Sequence, residues 1–164
     1  MAKWKARARA AVERGDTQFL RRQLEETRRE AAGAGRDLRL LLEESGRKLD
    51  SEPAPSIDSL NEVERHYRAL ARETRTTSDE LVAIERLMAL LLGETLIRIH
   101  GGAWDIYTGP FTTASPVVLR LDPSGKHFDV AMLARQLHEK RNLDGAAEGR
   151  ALATSIEKAE ALSF

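Results

Sequence analysis

The chain has no cysteine among its 164 residues, which excludes disulfides and thiolate metal sites and is compatible with any redox compartment. It also lacks an excess charge of either sign. With 26 basic residues against 26 acidic ones, no global field points to nucleic acid, a membrane surface or an acidic ligand. No stretch approaches the roughly 18 consecutive apolar residues of a membrane span, and the basic start has no apolar segment behind it to make a secretory signal. No internal repeat and no low-complexity tract is found. These absences leave a cytoplasmic chain without a membrane span as the default. At this length one compact core plus an appendage is the simplest count, and it can bury roughly two thirds of its unfolded surface.

The densest apolar run, Thr77 to Asp122, organises the rest. Leu81, Ile84, Met88, Leu91, Thr95 and Ile99 recur every three or four residues, which is one helical face. Leu87, Leu90, Leu92, Leu96 and Ile97 widen it beyond the usual arc, so the helix is expected to be central and buried on more than one side. Thr77 with Glu80 fits a capping box, and Gly101-Gly102 supplies the stop. Ala103 to Thr108 and Pro116 to Leu121 read as strands. Asp122-Pro123-Ser124-Gly125 reads as a turn, and Lys126 to Phe128 adds a short third strand. The expected fold class is predominantly helical α+β, with an antiparallel sheet of two or three strands on a central helix.

Upstream, residues 1 to 50 carry 13 Lys or Arg against 9 Asp or Glu, so the remaining residues carry the opposite imbalance. This part is rich in helix formers. Leu20, Leu24, Thr27, Ala31, Ala34, Leu38 and Leu41 form a seam of heptad-like spacing, as either an αα-hairpin turning at Ala32 to Arg36 or one long, interrupted helix. The seam needs a partner from this chain or another, and Leu20, Leu24, Leu38 and Leu41 are its candidate contacts, including in a homo-oligomer. Two prolines within DSEPAPS forbid helix there, which divides the chain into a helical arm (1–50), a linker (51–56) and an α+β domain (57–164). Ser59 with Glu62 suggests a capping box for a helix to about Glu73. Asp129 is the expected N-cap of a helix to about Lys140, and Asp144 with Glu148 opens a last one to about Leu162.

The motifs yield no catalytic constellation. His100-Gly101-Gly102 looks like the oxyanion loop of the esterase branch of the α/β-hydrolases, but no G-x-S-x-G nucleophile elbow accompanies it. Pro123-Ser124-Gly125-Lys126 lacks the upstream glycine and the following hydroxyl of a phosphate-binding loop. His66, His100, His127 and His138 are far apart in sequence, and only His127, Asp129 and His138 present a candidate metal trio. Neither a metal nor a cofactor is expected. Lys3, Lys5, Arg7 and Arg9 surround Trp4 and are the polyanion candidates, set against the plainer reading of a solvated helix start. Glu94 would be costly to bury unpaired. Arg98, four residues on, is its expected ion-pair partner, and Gly93 beside it suggests a kink or a close backbone approach. Glu94, Arg98, His100, Trp104 and Tyr107 define a candidate ligand cleft where the helix meets the sheet.

The pattern Leu92-Gly93-Glu94, Gly101-Gly102-x-Trp104, Pro116-Val117-Val118-x-Leu and a glycine turn into Phe128-Asp129 resembles uncharacterised bacterial domain families, some of them similar to immunity proteins of toxin systems. The resemblance covers about residues 78–137. It implies a small sheet closed by a helix and transfers no catalytic residue. The expected function is a non-enzymatic protein-interaction or assembly module, possible in an immunity or inhibitor form. The alternatives are a nucleic-acid-associated protein using the basic N-terminal residues, and a small-molecule-binding or enzymatic domain with its cleft near Glu94–Tyr107.

Overall fold

The computed structural model describes residues 17–73, 75–108, 114–119 and 127–139. Its elements in chain order are α1 (Thr17–Ala32), α2 (Ala34–Glu44), α3 (Ile57–Ala71), α4 (Ser78–His100), β1 (Ala103–Thr108), β2 (Ala114–Leu119), β3 (His127–Asp129) and α5 (Val130–Glu139). The fold is predominantly helical α+β, with five helices and one small sheet among the described residues. None of these helices is long and apolar enough to cross a membrane. Lys3, Lys5, Arg7, Arg9 and the expected helix to Leu162 lie outside the described residues.

α4 is the centre, and each of the other four helices packs against it. Its start is the capping box expected from Thr77 and Glu80: Thr77 Oγ1 accepts from the Glu80 amide at 3.3 Å and Glu80 Oε2 accepts from the Thr77 amide at 2.8 Å. Its stop is Gly101 at φ +74°, a conformation that glycine adopts without the clash a Cβ brings. Between them Leu81, Ile84, Met88, Leu91, Leu92 and Leu96 are buried. Ile99 in the last turn is 43% exposed and leaves the stripe. The buried Thr95 hydroxyl is satisfied within the helix by donating to the Leu91 carbonyl at 2.8 Å.

The sheet is an antiparallel meander in the order β1-β2-β3. Trp104 pairs with Val118, and Val118 with Phe128, so these residues form one row across the sheet. Trp104 and Val118 are buried in the core and Phe128 packs against it. Asp129 caps α5 as expected, its Oδ1 accepting from the Met132 amide at 3.0 Å.

The sequence draws a boundary between a helical arm (1–50) and the domain (57–164) and leaves open whether the arm packs on it; the core does not divide there. Ala31, Ala34, Leu38, Leu42 and Leu49 belong to the same cluster as Leu60, Val63, Tyr67 and the α4 residues. Residues 51–56 are irregular, as the prolines require, yet Pro53 is buried. Of the two arrangements left open for the seam, α1 and α2 form the interrupted helix. Gly33 at φ −93°, ψ 0° breaks the regularity, while Gly33 N–H still donates to the Arg29 carbonyl and Asp37 N–H to the Gly33 carbonyl. The seam is therefore answered within this chain. Leu38 is fully buried, and Leu24 and Leu41 pack against the core, while Leu20 is half-buried.

The cap of α3 also differs from expectation. Ser56, not Ser59, is the N-cap, accepting from the Ser59 amide at 3.2 Å. The Ser59 hydroxyl instead accepts from the Ala54 amide at 3.2 Å, because the prolines carry the extended backbone up to Pro55 and helix becomes possible only beyond it.

Candidate functional site

Glu94 and Trp104 are the pair the structure brings together from the five expected cleft residues. The indole Nε1–H of Trp104 donates to Glu94 Oε1 at 2.7 Å, a short bond of the charge-assisted kind. The carboxylate is thus answered by the tryptophan, and no ion pair joins it to Arg98 among the described residues; Arg98 is exposed on the last turn of α4. His100 is half-buried at the end of that helix. Tyr107 is paired through its backbone with Ser115, and its side chain lies outside the described set.

Gly93 explains how the indole gets so close. A Cβ on Gly93 would stand 2.5 Å from Trp104 Cζ2 and 3.1 Å from Cζ3, so the ring lies directly on the helix backbone. We expect Gly93→Ala to destabilise the protein although alanine favours helix. The gain of about 1 kcal/mol in propensity is set against about 1–3 kcal/mol of overpacking. The clash dominates because Trp104 is 5% exposed and its N–H is fixed by Glu94. Urea denaturation would measure it, and a midpoint at or above that of the parent would show that the ring yields.

Glu94 also lines a half-open cleft of about 230 Å³ with Ala31, Ala32, Gly35, Glu52, Pro53, Ala54, Pro55 and Leu91. This cleft does not lie where the helix meets the sheet. It lies between α4, the α1–α2 junction and the proline segment, and among the described residues Glu94 alone of the five expected cleft residues lines it. Gly35 permits the close approach of that wall, since a Cβ there would fall on the Pro53 carbonyl oxygen. Gly35 and Glu52 were missed by the sequence reading. Their signals were present, as a glycine flanking an apolar seam and an acid inside a proline strap.

The strap, residues 47–56, is anchored at several points. Leu49 is buried at 1% exposure, Ala54 N–H reaches Ser59 Oγ, and Arg47 Nε donates to His66 Nδ1 on α3 at 3.1 Å. Burial pushes the pKa of His66 below the ordinary value of 6.5, and the Arg47 guanidinium lowers it further. His66 is held as a neutral acceptor.

A second polar cluster lies inside the core. Tyr67, fully buried, donates its hydroxyl to Glu85 Oε1 at 2.6 Å, with the Leu137 carbonyl 3.3 Å away. Glu85 Oε2 stands 3.2 Å from His138 Nδ1. Nearby on α3, the buried Glu64 pairs with Arg68 at 3.2 Å. The arrangement joins α3, α4 and α5, with Tyr67, Glu64 and Glu85 buried and His138 exposed at its outer end. No group of three or more acidic or histidine ligands able to hold a metal occurs among the described residues. The His127 side chain lies outside them, and Asp129 is engaged as a helix cap.

Comparison with protein-family models, with curated proteins and with solved structures found no match.

Proposed function

We propose that this chain is a non-enzymatic protein-binding module whose cleft receives one basic side chain of a partner protein. The observation that supports this reading is the cleft itself. Its volume of about 230 Å³ is below the roughly 300–1,000 Å³ of pockets that enclose a whole small molecule, and suits a single side chain. Its walls are mainly alanine, glycine, proline and leucine, and the two charged groups that line it among the described residues, Glu52 and Glu94, are both carboxylates. Carboxylates on a small-residue floor favour a guanidinium or ammonium, with arginine preferred for its forked donors. Among the described residues the lining offers no hydroxyl, thiol, amine or imidazole group beside the two carboxylates that would assign it a reaction. Two acids also oppose binding of a polyanion at this face. An immunity or inhibitor protein that masks an arginine or lysine of a toxin is the form of this function that the family resemblance implies.

The test is a titration of isotope-labelled protein with short arginine- and lysine-containing peptides, followed by NMR shifts at Gly35, Glu52, Ala54 and Glu94. Glu94→Gln keeps an acceptor for the Trp104 N–H and removes the charge, so it is expected to fold and to bind about tenfold or more weakly, as the loss of a charged hydrogen bond predicts. Unchanged affinity in Glu94→Gln and Glu52→Gln would overturn the reading. Light-scattering gel filtration of the full chain from its native host, with mass spectrometry of what co-elutes, would then identify the natural partner.

A further inference from the structure

The strap that walls the cleft is held to α3 by a bond that depends on protonation. α2 ends with Gly46 at φ +82°; Gly46 N–H donates to the Glu43 carbonyl at 3.0 Å and Arg47 N–H to the Leu42 carbonyl at 2.7 Å. This is the paired bonding of a Schellman cap, and it fixes the backbone of Arg47 where its guanidinium meets His66. Arginine has donors only. The 3.1 Å bond from Arg47 Nε to His66 Nδ1 therefore exists only while Nδ1 keeps its lone pair.

We propose that Arg47 and His66 form a pH-sensitive clasp on the strap: a proton on His66 Nδ1 removes the acceptor, sets imidazolium against guanidinium, and loosens the strap, which buried Leu49 and the Ala54–Ser59 bond then hold without the Arg47 tie, easing the cleft wall at Glu52–Pro55. Among the described residues, the charged groups acting on His66 are Arg47 and Asp50 from the strap and Glu62 and Arg65 from α3. Desolvation and the two arginines disfavour the imidazolium, and Asp50 and Glu62 favour it. With the balance on the side of the neutral ring, the open state binds the proton more readily than the closed one. The clasp's contribution to closure is fully present above the ordinary histidine value of 6.5, and it is lost as pH falls through that value towards the lower one of the folded state. The consequence for a partner rests on the cleft being its binding site, but the clasp does not.

Hydrogen exchange of the full chain without ligand, corrected for intrinsic rates, tests the clasp at about pH 7.5 and about pH 5.5, either side of the free histidine value. Exchange at the strap amides is expected to increase at the lower pH, approaching about tenfold if the closed form stays neutral, with α4 unchanged. His66→Asn places an acceptor near the Nδ1 position and cannot titrate, so it should abolish the increase. Arg47→Ala should exchange fast in the strap at both pH values. A strap indifferent to pH in the parent, or an increase retained in full by His66→Asn, would overturn the proposal. If the strap opens while arginine-peptide affinity stays constant with pH, the clasp is supported and the cleft reading fails.

Discussion

Leu38→Ala is expected to destabilise the whole described fold by about 2–5 kcal/mol, the range for truncating a buried leucine. Leu38 lies on α2, fully buried, in a cluster that continues into α3 and α4. If residues 1–50 were an arm with a partner of its own, the same change would weaken partner capture and leave the rest of the chain intact. The shared core predicts instead a single cooperative transition at lower urea concentration, seen equally by helical circular dichroism and by Trp104 fluorescence in a Trp4→Phe background. Two separate transitions, with the Trp104 signal unmoved, would restore the independent arm. For the same reason, deleting residues 1–50 does not test partner binding. It removes Ala31, Ala34, Leu38, Leu42 and Leu49 from the core, so loss of a partner in such a truncation would follow from loss of the fold.

The seam also shows where the sequence stops being informative. Its spacing identifies Ala31, Ala34 and Leu38 as facing inward, because periodicity reports a face, but it names the half-buried Leu41 and passes over the fully buried Leu42 beside it. Periodicity does not say what covers that face, and here the cover is α4, which begins more than thirty residues further on. The proline strap was misjudged for a related reason. Two prolines determine that residues 51–56 are not helical, but an irregular segment can be a solvated spacer or a buried wall. The difference is Gly35, whose missing side chain admits the Pro53 carbonyl. α4 and the meander were legible because their caps, stops and strand alternation are local signals. The Glu94 pairing was not, since a four-residue helical spacing favours Arg98 while the actual partner comes from the next element.

That partner gives the sequence pattern a physical meaning. Gly93 and Glu94 belong to the L-G-E string and Trp104 to the G-G-x-W string, and the structure makes them one joint: the glycine admits the ring and the glutamate binds its N–H. Gly101, at φ +74°, ends the helix between them, so that the chain enters β1 and returns Trp104 to the helix it has just left. The same Glu94 faces the cleft on the other side. The helix–sheet joint therefore fixes the carboxylate proposed to meet a partner.

The buried acids were legible only in part. Glu85 follows Leu81 by four residues and precedes Met88 by three, so it stands on the apolar stripe where a carboxylate needs an answer from elsewhere. Tyr67 supplies it at 2.6 Å, and the large effect expected from Tyr67→Phe comes from the charge. Removing the phenol oxygen takes one hydrogen bond from a carboxylate in a residue only 2% exposed, whose other oxygen keeps His138 at 3.2 Å, and the expected loss is about 3 kcal/mol, the upper end for a hydrogen bond to a charged group. In a Glu85→Gln background the neutral amide requires less solvation, so the same Tyr67→Phe change should cost only about 1 kcal/mol. A double-mutant cycle by urea denaturation measures the difference directly, with an expected coupling of about 2 kcal/mol. A coupling near zero would mean that Tyr67 stabilises through its ring alone and that Glu85 is held by His138 and the remaining surroundings. A value of the expected size would make this buried bond a principal tie between α3 and α4, which would explain why a carboxylate persists at a position where leucine would pack.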